Sequence, residues 1–182
     1  MRVSGSRTRP LNQIRTLLPA VAAALGALSC ATTPMARASD AERLQCDATT
    51  IDATTLVERL SVLAVSPLYV QIHSSTVGEV RVRGAKLLVH PPDGVDPYRL
   101  VRSLQCHAAR ILLGRARPID PNDPFSLPGS WLQIDIQSES GNYLVSILAD
   151  SVSEGVDVLA RARAFARDHG LSVDALPASG RG

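Results

Sequence analysis

Asp96-Pro97-Tyr98-Arg99-Leu100-Val101-Arg102-Ser103-Leu104-Gln105-Cys106-His107-Ala108-Ala109-Arg110-Ile111-Leu112-Leu113 is the stretch around which the 182-residue chain is organised. Asp96 has the side chain of a helix cap, and Pro97 suits the first helical position, where a missing N–H leaves nothing unsatisfied. At about 100° per residue, Leu100, Val101, Leu104, Ala108, Ile111 and Leu112 fall on one face. Arg99, Arg102 and Arg110 lie opposite, with Cys106 among them, while His107 borders the apolar stripe. Gly114 ends the helix. A helix of this kind needs a sheet to cover its stripe, and the flanking sequence supplies strands on both sides.

On the N-terminal side, Leu68, Val70 and Ile72 alternate with Tyr69, Gln71 and His73, the pattern of a strand that buries one face. Ser74 to Glu79 forms a turn, and the return strand begins with Val80 and Val82 inward and Arg81 and Arg83 outward. Beyond Gly84 the inward set becomes Ala85, Leu87 and Val89, a slip of one residue that predicts a β-bulge. Upstream, Thr55-x-x-Glu58 has capping-box spacing and predicts a helix from Thr55 to Ala64, stopped by Ser66-Pro67.

On the C-terminal side, Pro118, Pro121, Pro124 and Pro128 mark Gly114 to Ser130 as a crossing loop, with Phe125 and Leu127 as its apolar anchors. The alternation then returns: Leu132, Ile134 and Ile136 against Gln133, Asp135 and Gln137, and Tyr143, Val145 and Ile147 against Leu144, Ser146 and Leu148. Ser151-x-x-Glu154 opens a last helix that ends at His169-Gly170, with Val158, Ala162, Phe165 and Ala166 inward. The expected fold is α+β: a small single domain, a helix followed by two hairpin–helix units. These form a four-stranded, mainly antiparallel sheet with helices on one face.

The first 38 residues differ in kind. Arg2, Arg7, Arg9 and Arg15 precede an apolar run from Leu17 to Leu28, and Ala36-Arg37-Ala38 has the small residues of a cleavage site. This is the pattern of a secretory signal peptide, residues 1–38, with an apolar core too short to span a bilayer. A competing exit is Ala27-Leu28-Ser29-Cys30, in which Cys30 would carry a lipid. The expected organisation continues with a flexible segment at 39–53, an α+β domain at 54–170 and a disordered tail at 171–182. The net charge of +2 belongs to this leader, because five arginines and no acid lie within residues 1–38. Without it, 14 basic and 17 acidic residues leave −3. A nucleic-acid partner is not expected.

Cys46 and Cys106 then remain as an even pair in an oxidising compartment, and the plain reading is a disulfide between them. Three sharper chemistries compete with it. Ser103-Leu104-Gln105-Cys106-His107 has the spacing of a c-type haem site with serine in place of the first cysteine, so haem is not expected. Cys106, His107, His73, His90 and His169 offer metal-ligand chemistry, yet a hairpin separates His73 from His90 by its length, and no ligand pair has clustered spacing. Asp120, Asp123 and Asp135 read as solvated loop and strand residues rather than a catalytic group, and no nucleophile elbow or phosphate loop is present.

No catalytic residue, metal site or cofactor is therefore expected. The reading favoured by the sequence is an exported, periplasmic or envelope-associated binding module without catalysis. Its partner would be an envelope protein or polymer, and membrane contact would occur only through a lipid on Cys30. The alternatives are a metal- or redox-responsive protein using Cys106 and His107, and an enzyme of unidentified class.

Overall fold

The structure is a computed structural model and describes residues 32–47, 53–74 and 77–168. The elements in chain order are α1 (Pro34–Gln45), α2 (Ala53–Glu58), β1 (Ser61–Ser74), β2 (Val77–His90), α3 (Pro97–Leu112), β3 (Leu132–Glu139), β4 (Asn142–Ala149) and α4 (Val152–Asp168). The four strands form one antiparallel sheet in the order β1-β2-β4-β3. The α+β architecture read from the sequence is the one observed.

Register explains which residues meet. Val65, Leu87, Val145 and Ile136 lie in one row across the sheet, and Pro67, Ala85, Ile147 and Ile134 in the next. These rows face α3 and α4, whose Leu100, Leu104, Val158, Ala162 and Phe165 complete the apolar core. Phe125 from the proline-rich loop enters the same core edge-on to Phe165, with ring centroids 6.3 Å apart. The core is thus aliphatic with one aromatic pair, as the low aromatic content requires.

The slip at Gly84 is a bulge. Leu68 pairs with Gly84 and Tyr69 with Val82, leaving Arg83 without a cross-strand partner. A β-carbon at Gly84 would lie 1.8 Å from the carbonyl oxygen of Ile147, so only glycine fits. The freed Arg83 side chain donates to the carbonyls of Ala149 (2.8 Å) and Asp150 (2.7 Å) at the end of β4. Helix α4 lands on the same spot, because a β-carbon on its Gly155 would sit 2.4 Å from the Arg83 carbonyl carbon. The capping box opening α4 is made in both directions. Glu154 N–H donates to the Ser151 hydroxyl (3.2 Å), and Ser151 N–H donates to the Glu154 carboxylate (2.9 Å).

Three expectations need correction. The helix placed at Thr55–Ala64 is only the six residues of α2, and Ser61 onward is strand. Val62, Val65 and their neighbours satisfy helical and strand periods alike over so short a run, and β-branched residues tip the balance to strand. Pro67 does not stop the element, because β1 is an edge strand with a neighbour on one side only. A second bulge between Val62 and Ala64 then sets the phase, so Leu68 and Val70 turn to the sheet face away from the helices, opposite to the expected side. Finally, residues 39–45, expected to be loose, belong to α1. That helix is capped by Thr33, whose hydroxyl accepts from Ala36 N–H, and Pro34 occupies its first turn.

Residues 1–31, with Cys30 and most of the expected signal peptide, residues 48–52 and 75–76, and residues 169–182, with His169 and the expected tail, lie outside the described residues. Among those described, no helix is long and apolar enough to cross a membrane.

Candidate functional site

Helix α3 is covered on both sides. Its stripe of Leu100, Leu104 and Ala108 meets the core, while Cys106 and Ala109 are buried although they belong to no part of that core. What covers them is α1, whose Ala38 is buried in the same way. Cys106 is joined to Cys46, immediately after α1, across a Cα–Cα distance of 5.2 Å. The disulfide expected from the sequence is therefore present, and its place on the arginine-bearing face is also as expected.

Arg102 and Arg110 of that face, with Arg115 just beyond the helix end, hold the same segment. Arg102 donates to Asp47 (2.6 Å) and lies over the Tyr98 ring at 5.5 Å from its centroid. The hydrogen bond to Asp47 raises the Arg102 pKa above its ordinary value. Glu42 on α1 receives Arg115 and lies 4.0 Å from Arg110. At the other end of α1, Arg37 grips both carboxylate oxygens of Asp150 at 3.0 and 2.8 Å. A face that could have served an anionic ligand is instead occupied by the chain's own α1.

The histidine next to Cys106 goes elsewhere. His107 is 3% exposed, and its Nε2 lies 2.8 Å from Oδ2 of Asp123, which is fully buried. The other Asp123 oxygen accepts the Phe125 N–H at 2.9 Å. Asp123 thus anchors the proline-rich loop to α3, and its reading as a solvated loop residue is corrected. The proline content of the loop masked a carboxylate whose partner lies 16 residues away. The buried polar side chains Ser103, His107, Asp123 and Ser126 come from α3 and this loop, and the hydroxyls of Ser103 and Ser126 have no partner. None of the four is accessible to a substrate.

Other candidates are dispersed. His90 is exposed at the end of β2, opposite Ser61, whereas His73 pairs with Gly78 at the far end of the same hairpin. Asp120 receives the backbone N–H of Asn122, and Asp135 is exposed on β3. Among the described residues, no three His, Cys, Asp or Glu side chains are placed to hold a metal ion. The sulfur of Cys106 is committed to the disulfide, so it is not a thiolate ligand in this state.

Among the described residues, the surface left without a covering element is the sheet face away from α3 and α4. Three rows cross it: Ala64, Leu88, Leu144 and Gln137; then Ser66, Lys86, Ser146 and Asp135; then Leu68, Gly84, Leu148 and Gln133. Two apolar rows thus flank one polar row, and the four leucines are half-buried rather than covered. Neither Lys86 nor Asp135 has an ion-pair partner among the described residues. An open sheet face usually alternates toward polar residues. The signal for this one was present in Leu144 and Leu148, which make β4 apolar on both sides. Sequence reasoning treated them only as the outward half of the strand. Comparison with family models, curated proteins and solved structures gives no match.

Proposed function

We propose that the chain is an exported binding module without catalysis, and that the open sheet face is its binding surface. The observation that carries the reading is the division of labour between the two sides of the domain. On the helical side, Arg102, Arg110, Arg115 and the His107–Asp123 pair are all consumed by internal contacts. On the sheet side, Leu68, Leu88, Leu144 and Leu148 surround Lys86 and Asp135, which have no ion-pair partner among the described residues. Half-buried leucines on both sides of a charged row give this face apolar area beside polar anchors, the kind of surface a partner can cover.

Export is supported by the Cys46–Cys106 disulfide, which persists where thiols are not kept reduced, and by the basic and apolar N-terminal sequence. Helix α1 favours the processing alternative that ends at Ser29. Cleavage after Ala38 would remove five of its twelve residues, with the Arg37–Asp150 grip and the buried Ala38. Cleavage before Cys30 would spare all of these and leave that cysteine at the new N-terminus for a lipid.

The test is intact-mass analysis of the protein recovered from fractionated cells, with thiol alkylation before and after reduction. The reading predicts a product outside the cytoplasm that begins at Cys30 with a lipid and takes up label at Cys46 and Cys106 only after reduction. A cytoplasmic, full-length product with both thiols free would overturn it.

A further inference from the structure

We infer that the partner of the open sheet face is a second copy of this chain, docked face to face about a two-fold axis that runs along β4. The inference rests on the reading of that face as the binding surface, and it comes from the symmetry of the face's charges. In the middle row, Lys86 on β2 and Asp135 on β3 stand one strand to either side of Ser146 on β4. Adjacent strands are about 4.8 Å apart, so the two charges are equidistant from β4, at about 5 Å on each side. A two-fold axis along β4 exchanges the two sides. Lys86 of one copy then stands over Asp135 of the other, and the reverse pair forms at the same time.

The same operation decides the apolar rows. Leu144 meets Leu144 of the second copy and Leu148 meets Leu148, while Leu88 is placed over Gln137. Sheets stacked face to face lie about 10 Å apart, a gap that a lysine and an aspartate close when they meet end to end. The strands of the two copies run aligned, as in sheet-on-sheet packing generally. Such an interface is self-complementary, as a two-fold dimer requires. A partner of unrelated sequence would have to supply a cation and an anion at matching spacing; the second copy already has them.

The covered area sets the strength. Three strands by about five residues give a footprint of roughly 14 by 17 Å. That is small beside the roughly 800 Å² per partner of standard complexes, so the dimer is weak, with dissociation at micromolar concentration or above. Lys86 is the only lysine of the chain, which makes the geometry directly readable. A carbodiimide joins an amine to a carboxylate only when the two touch, and Lys86 offers the single side-chain amine.

The experiment treats the full chain with carbodiimide across a concentration series, beside sedimentation equilibrium of the Lys86→Glu, Asp135→Lys and doubly swapped variants. A dimer-sized product carrying a Lys86–Asp135 link is expected. Each single swap should weaken dimerisation by about tenfold or more, because like charges then face each other twice, and the double swap should restore it. Circular dichroism checks that these surface changes leave the fold intact. A dimer indifferent to the swaps, or a link confined within one chain, overturns the inference. Attachment of Lys86 to a different protein in cells removes the second copy as the partner but keeps the binding surface. A monomer at every concentration whose Lys86 links to nothing removes both.

Discussion

Opening the Cys46–Cys106 disulfide is the perturbation with the clearest expected magnitude. The bond closes a loop with a sequence separation of 60. In the chain-entropy model, closing a loop of that length removes about 14 cal/mol/K from the unfolded chain, which is about 4 kcal/mol at 25 °C. The folded state should change little, because α1 keeps its other attachments: Arg102 to Asp47, Arg115 to Glu42 and Arg37 to Asp150. A Cys46→Ala/Cys106→Ala variant therefore tests the unfolded-state argument without adding a buried hydroxyl beside Ala109. With a urea slope of about 2 kcal/mol/M, the midpoint should fall by roughly 2 M. Hydrogen exchange should show α1 still protected under native conditions, though opening more readily than α3. A midpoint shift below about 0.5 M would refute the loop-entropy reasoning. Loss of α1 protection with the rest of the domain intact would mean that the bond, and not the arginine contacts, holds this helix.

Three further substitutions probe separate features. Asp123→Ala strands His107 and the Phe125 N–H inside the fold, and urea titration should show a loss of about 3 kcal/mol; an unchanged midpoint would mean that the pair is idle. Hydrogen bonds from Ser130, then Ser151, hold the Glu154 carboxyl below its ordinary value of 4.5. The stabilisation from a depressed carboxylate is complete above that ordinary value and disappears as pH falls through the folded one. Glu154→Gln should therefore lower stability by about 1 kcal/mol at neutral pH and flatten its decline below pH 4.5, as thermal melts in a pH series would show. Gly155→Ala sets helix propensity, a gain of about 1 kcal/mol, against a β-carbon meeting Arg83 backbone, a loss of about 1–3 kcal/mol. With the contact at 2.4 Å and no flexible atom to yield, the loss should win, and a higher melting temperature would show that the bulge moves aside.

Much of the fold was legible because the decisive signals are local. Asp96 and Pro97 start α3, Ser151 and Glu154 start α4, and the change of phase at Gly84 announces its bulge before any partner strand is known. The errors occur where two periods fit the same residues. Leu63 and Ala64 fit the helix read at Thr55–Ala64 yet belong to β1, and one bulge between Val62 and Ala64 reversed the facing of Leu68. The disulfide was legible from the wheel, which sets Cys106 outside the apolar stripe, and from the two cysteines that lie beyond residues 1–38. The His107–Asp123 bond was not, because it joins a helix to a loop without periodicity. The open sheet face was half legible. Outward leucines are visible in β4, but their alignment with Leu68 and Leu88 depends on strand order and on both bulges, which no local pattern encodes.

The most direct test of the central claim is the reactivity of Lys86 itself. The intact protein would be acylated with an amine-reactive reagent, once in cells and once purified and diluted to nanomolar concentration, and the modified fraction read by mass spectrometry. If the open sheet face is a binding surface occupied in its native compartment, Lys86 is protected in cells and reacts fully on dilution. Equal acylation in both conditions would mean that nothing covers this face, and the assignment of a binding surface would fall.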